Sequence, residues 1–238
     1  MKKIFIIIVY FTNLFTSELD LGIEAINSGN SIKAKEIFLK SCENGDMDSC
    51  NFLGDMYYYG KIIEQDYSIS KELYSKACDK GNNKACNSLG YMYQYGYGLS
   101  KDYLKAKDLY TKSCDDNNMR ACYNLALLYY NGYGVERNYS KAKDLYTKSC
   151  DAKISEACFN LGYMYDNAEG IKQDLNMANE LYMKACNGGI GQSCFNIGIS
   201  FYKGEGISQD LNKAIESFKK ACDFKYQKGC DIYNKLGR

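Results

Sequence analysis

Residues 78–122 read CDKGNNKACNSLGYMYQYGYGLSKDYLKAKDLYTKSCDDNNMRAC, and they hold two cysteine pairs, Cys78/Cys86 and Cys114/Cys122. Each pair is separated by eight residues, and the second starts 36 residues after the first. The same ruler runs along the chain and places Cys42/Cys50, Cys150/Cys158, Cys186/Cys194 and Cys222/Cys230. All twelve cysteines are accounted for in this way. Composition alone does not produce such spacing; one structural unit of 36 residues is repeated, and each copy carries its own cross-link.

Within one copy the pattern is that of two helices. Asn87 to Gln94 leads into a glycine-rich turn, Tyr95 to Leu99. Asp102, in N-cap position, then precedes a segment in which Ala106, Leu109, Tyr110 and Ser113 recur at i, i+3, i+4 and i+7, the stripe of an amphipathic helix. Asp66, Asn138, Asp174 and Asp210 hold the capping phase in other copies. On the first helix a large apolar phase (Leu53, Leu89, Leu125, Leu161, Ile197) alternates with a small one (Gly54, Gly90, Ala126, Gly162, Gly198). The second helix carries Leu-Tyr at 73–74, 109–110, 145–146 and 181–182, decaying to Ser217-Phe218, and a small phase at Ala34, Ala106, Ala142, Ala178 and Ala214, with Ser70 the exception. Large facing small is what close helix packing requires. Tyr57, Tyr93 and Tyr110 are assigned to this core. The fold class is therefore all-α: an α/α solenoid superhelix of 36-residue disulfide-stapled helix-pair repeats, about six pairs over residues 18–238. Each pair leans on its neighbours because it cannot bury its own apolar face.

Residues 1–17 read as a signal peptide: Lys2 and Lys3, then an apolar run Ile4–Phe15, then polar Thr16 and Ser17. The run is short for a membrane span, and no other segment is apolar enough, so no stable span remains after signal removal. The Lys-, Asn-, Ile- and Tyr-rich usage suggests an AT-rich bacterial genome, which makes the expected location secreted or periplasmic. Export fits the cysteines, since oxidising compartments let disulfides persist. Neither C-x-x-C nor histidine is present, so no metal and no cofactor is expected. The expected bridges are Cys42–Cys50, Cys78–Cys86, Cys114–Cys122, Cys150–Cys158, Cys186–Cys194 and Cys222–Cys230.

Charge and composition narrow the function classes. Lys and Arg total 30 against 29 Asp and Glu, which argues against a nucleic-acid partner. With 0 histidines, Ser-His and Cys-His catalytic pairs are excluded.

The phrases L-G-Y-M-Y-x-x-G-x-G and K-A-x-x-L-Y-x-K-A-C resemble the Sel-like repeat family, a relative of tetratricopeptide repeats. Together with the cysteine pairs, the chain resembles the cysteine-rich Helicobacter group of secreted Sel-like proteins, over residues 19–238 and including the terminal G-C-D-I-Y-N-K-L. It departs from the pattern at Asn167–Gly170, where the G-x-G loop is lost, and at Lys153 and Lys225, where the turn glycine is replaced. Members of that group are described as penicillin-binding proteins or β-lactamases, so the resemblance implies β-lactam binding and slow hydrolysis as one alternative. S-x-x-K occurs at Ser68/Lys71, Ser140/Lys143, Ser200/Lys203 and Ser217/Lys220, without S-D-N or K-T-G partners, which makes surface pairs the simpler reading.

The other alternative is a binding module, a monomer that takes a peptide, a peptidoglycan fragment, a β-lactam or a protein partner on the concave face. The tetratricopeptide likeness puts the first helix of each repeat on that face. There Asn124, Asn160 and Asn196 share one phase, and Asp55, Tyr91 and Tyr163 share another. Amides and phenols along a groove offer donors and acceptors without fixed charge. The same asparagines could instead bridge neighbouring repeats.

Overall fold

The computed structural model describes residues 17–61 and 63–236, and its contacts divide the chain into two compact units that meet in sequence at Asn82 and Asn83. The first unit holds α1 (Glu18–Asn27), α2 (Ser31–Glu43), α3 (Met47–Tyr59) and α4 (Tyr67–Asp79). The second holds α5 (Asn83–Tyr95), α6 (Tyr103–Asp115), α7 (Met119–Asn131), α8 (Tyr139–Asp151), α9 (Ser155–Asn167), α10 (Leu175–Asn187), α11 (Gly191–Lys203), α12 (Leu211–Asp223) and α13 (Gln227–Leu236). Thirteen helices and no strand are found among the described residues, in the all-α repeat class that the sequence implies. The leader segment assigned to residues 1–17 lies outside the described residues except for Ser17, which caps α1.

Helix length is set by signals at both ends. Asp66, Asp102, Asn138, Asp174 and Asp210 each accept a hydrogen bond from the backbone N–H three residues on, which satisfies one of the orphan donors of the first turn. At the other end Gly60, Gly132, Ala168 and Gly204 adopt the left-handed conformation and stop the odd-numbered helices. The departures noted in the sequence keep the backbone of the pattern: Lys153, Ala168 and Lys225 all have positive φ despite their side chains. α5 begins at Asn83, a turn before the start that the apolar pattern marks, and also carries Ala85 and Cys86 into the core.

The large-into-small alternation is the packing device. Tyr74, Tyr110, Tyr146 and Tyr182 are each no more than 1% exposed, and Phe218 takes the same place in α12. The rings of Tyr74, Tyr110, Tyr182 and Phe218 lie against the glycines of the preceding helix; a Cβ on Gly90 would stand 2.8 Å from the Tyr110 ring. Ser70, the polar exception in the small phase, is fully buried and donates to the Gly54 carbonyl at 2.9 Å. Tyr57 and Tyr93 differ from the core assignment: they are only half-buried, with Lys35 and Lys105 placed over their rings at 5.4 and 5.2 Å. A phenol at the edge of a helix pair keeps its hydroxyl wet while its face is covered by a lysine stem.

Five bridges, Cys42–Cys50, Cys114–Cys122, Cys150–Cys158, Cys186–Cys194 and Cys222–Cys230, join the last turn of an even-numbered helix to the first turn of the next odd one, with Cα separations of 4.4–4.7 Å. No described cysteine is free, Cys78 and Cys86 included.

Candidate functional site

In the second unit, the odd-numbered helices α5, α7, α9 and α11 turn a polar and aromatic strip away from their partners. It has two layers. The inner layer is a chain of hydrogen bonds reaching from one repeat to the next. The Asn124 amide nitrogen donates to Asn87 Oδ1 at 2.9 Å, and Asn160 donates to the Tyr146 hydroxyl at 3.4 Å and is hydrogen-bonded to Tyr123. Asn196 is hydrogen-bonded to Tyr182, whose hydroxyl donates to Asp166 at 3.1 Å. Tyr110 donates to Gln94 at 2.7 Å. The buried tyrosines of the even-numbered helices thus pass their hydroxyls between the odd helices and meet amides and carboxylates there. Unpaired, those hydroxyls would each cost about 1–3 kcal/mol.

This places each residue named from the sequence. Asn124 is 8% exposed, so its amide is committed to bridging repeats, and Asn160 and Asn196 are half-buried in the same kind of bond. Asp55, in the first unit, accepts from the Tyr74 hydroxyl at 2.5 Å and from the Asn51 amide at 3.3 Å. Tyr91 and Tyr163 belong to the outer layer, 36% and 38% exposed.

The outer layer holds more than the sequence reading named. Tyr95 and Tyr202 are each 45% exposed; Asn131, Asn167 and Lys203 continue the phase of Tyr95, and Tyr202 stands one position before it. Tyr91 and Tyr95 pack with ring centroids 4.4 Å apart, and Tyr97 stacks on both. Tyr130 donates its hydroxyl to Glu169, a residue of the turn that lacks the G-x-G loop. The 36-residue recurrence of a polar or aromatic residue nine positions after each second cysteine was the available signal.

Burial, followed by neighbouring phenols, pushes the Tyr95 hydroxyl up. Burial and then the Glu169 hydrogen bond do so for Tyr130, and burial and then the Asp166 charge for Tyr182. All of these phenols are neutral at physiological pH, and Tyr130 and Tyr182 serve as donors.

The S-x-x-K serines are not assembled into a centre. Ser68 and Ser140 are exposed, Ser200 donates to the Asn196 carbonyl at 3.3 Å, and Ser217 donates to the Lys213 carbonyl at 2.7 Å. Lys143, Lys203 and Lys220 instead reach acidic neighbours. Among the described residues no cluster of acidic or cysteine side chains is placed to hold a metal ion, and no helix is long and apolar enough to cross a membrane.

The chain has counterparts of known structure. A Sel1 repeat protein from Oxalobacter formigenes is 28% identical over 86% of this chain and 84% of its own, with a TM-score of 0.81. The protective antigen c5321 of uropathogenic Escherichia coli, which displays an SLR fold, is 26% identical over 92% of this chain and 48% of its own, with a TM-score of 0.77. Cysteine rich protein B of Helicobacter pylori is 30% identical over 56% of this chain and 95% of its own, with a TM-score of 0.46. No curated protein matches the chain. The family model described as Sel1 repeat matches six times, at residues 21–46, 48–82, 83–118, 120–153, 155–190 and 191–223, each match spanning one helix pair of the fold; the chain belongs to the Sel1 repeat family.

Proposed function

We propose that this Sel1 repeat protein is an exported binding scaffold, and that the outer tyrosine layer of its second unit takes an extended segment of a protein partner. The observation that carries the reading is the exposure of Tyr91 and Tyr95 on α5, Tyr163 on α9 and Tyr202 on α11. They stand over an inner layer whose amides are already hydrogen-bonded to a neighbouring amide or to a buried tyrosine hydroxyl. Tyrosine supplies large contact area at low conformational cost and keeps a hydroxyl for backbone groups of a peptide. Asn124, Asn160 and Asn196 act beneath it by holding the helices in register, with Asn196 and Asn160 near enough to the surface to offer a second hydrogen bond. Asp55 has the corresponding place in the first unit. The disulfides support export to an oxidising compartment.

Selection from a displayed random-peptide library on the oxidised protein tests this. Enriched peptides are expected to lose tenfold or more in affinity on Tyr91→Ala or Tyr163→Ala, about 1.4 kcal/mol, and to be indifferent to Ser68→Ala. Penicillin and muropeptides run as parallel arms. Covalent penicillin labelling that depends on Ser68, with peptide binding untouched by the tyrosine changes, overturns the reading.

A further inference from the structure

The leucine column of the second helix breaks at Ser217, and the break leaves a hollow. In three other copies the matching leucine joins the apolar core it shares with the preceding repeat: Leu73 packs against the cluster that holds Phe38 and Leu53, Leu145 against that of Tyr110 and Leu125, and Leu181 belongs to that of Tyr146 and Leu161. Ser217 cannot do this. Its hydroxyl turns back to the Lys213 carbonyl, and an open cavity of about 280 Å³ lies between α10, α11 and α12. That is near the lower end of the size of small-molecule sites, roughly 300–1,000 Å³.

A second departure occurs in the same place. Lys76 and Lys148 reach back 34 residues and donate to the carbonyls of Cys42 and Cys114, which closes the seam between successive even-numbered helices. Lys220 has the same phase, and the matching carbonyl belongs to Cys186, which lines the cavity. Lys220 pairs instead with Glu216 at 2.8 Å on its own helix, 48% exposed. Beside Ser217, Lys220 does not make this latch.

The chemistry of the cavity is two-sided. Its walls are Met183, Ile197 and Phe201, all apolar, with Met183 37% exposed. Its rim carries Lys213, Lys220 and Glu216, and Lys213 also stands 3.6 Å from the Asp210 carboxylate. Lys213 lies over the Phe201 ring at 5.6 Å, so one ammonium already leans across the opening. We propose that this hollow is a binding site for a small amphiphilic carboxylate, a medium-chain aliphatic acid whose tail takes the place of the missing leucine and whose head group draws Lys213 and Lys220 together, displacing Asp210 from the first and Glu216 from the second. None of these residues belongs to the tyrosine strip, so the site is independent of the peptide-binding reading.

The test is NMR titration of the oxidised full chain with octanoate, octanol and octylamine, read at the Met183 methyl and the Ile197 signals. Octanoate is expected to give saturable shifts confined to these walls, with octylamine at least tenfold weaker. Ser217→Leu should abolish the shifts and raise the Tm by a few degrees by filling the hollow. Lys213→Gln with Lys220→Gln, at exposed positions, should leave the Tm in place and remove the preference for the acid over octanol. Octanol binding as tightly as octanoate to the unaltered protein, unchanged octanoate binding in the Ser217→Leu protein, or no saturation in the millimolar range each overturns the proposal.

Discussion

Removing one staple measures how far the repeats are coupled. In Cys114→Ala with Cys122→Ala, the lost bridge closes a ring of about nine residues between α6 and α7. In the chain-entropy model such a ring stabilises by about 2.5 kcal/mol. Both sulfurs are buried, Cys114 at 3% and Cys122 at 0%, so alanine leaves small voids beside Ala106, Tyr110 and Leu125, costing on the order of 1 kcal/mol more. The total, about 3–4 kcal/mol, does not dissolve the helix pair, because Tyr110 and Leu128 still pack against it. It lowers the free energy of local opening. Hydrogen exchange followed by mass spectrometry should show amides of residues 103–131 exchanging about two to three orders of magnitude faster, at 1.4 kcal/mol per decade. Amides of α11 and α12, two repeats away and stapled by their own bridges, should keep their rates, since stability in a solenoid is nearest-neighbour. Equal loss of protection from α5 to α13 would refute the reasoning, and so would unchanged exchange in α6 and α7.

Gly90→Ala should destabilise by about 1–3 kcal/mol in denaturant unfolding, because the added methyl meets the Tyr110 ring at 2.8 Å while the hydroxyl is tethered to Gln94. Ala168→Gly should stabilise by up to about 1 kcal/mol: the residue sits at φ 57°, where alanine is strained, and the relief exceeds the extra entropy glycine gains in the unfolded chain. Burial raises the Glu156 carboxyl, but the hydrogen bond and charge of Arg120, 2.8 Å away across one repeat, hold it below the ordinary glutamate range. The stability it contributes is therefore complete above that range and fades as pH falls through the lowered value. In Arg120→Gln this part of the acid-side slope of Tm against pH should disappear.

What could be read directly from the residues was everything governed by period. The cysteine spacing marks the repeat, because a ring of fixed length demands a fixed separation. Asp66, Asp102 and Asp174 mark helix starts, because an orphan N–H needs an acceptor at one offset. The Gly and Tyr phases mark facing surfaces, because volume must alternate where helices touch. These are local or strictly repeated constraints, and they carry the fold from Ser17 to Leu236.

The site is a matter of direction and reach. Asn124 on α7 and Tyr91 on α5 look alike as polar groups on the first helix of a repeat, yet the amide is spent on Asn87 of the preceding repeat and the ring faces solvent. Which of them remains open to a partner depends on where the Tyr146 and Tyr182 hydroxyls emerge between helices, and no spacing rule states that. The serine at 217 is the clearest case. In the sequence it is a lapse in a leucine column, and in the folded chain it is a cavity, because only packing from α10 and α11 reveals that nothing else moves in to fill the volume.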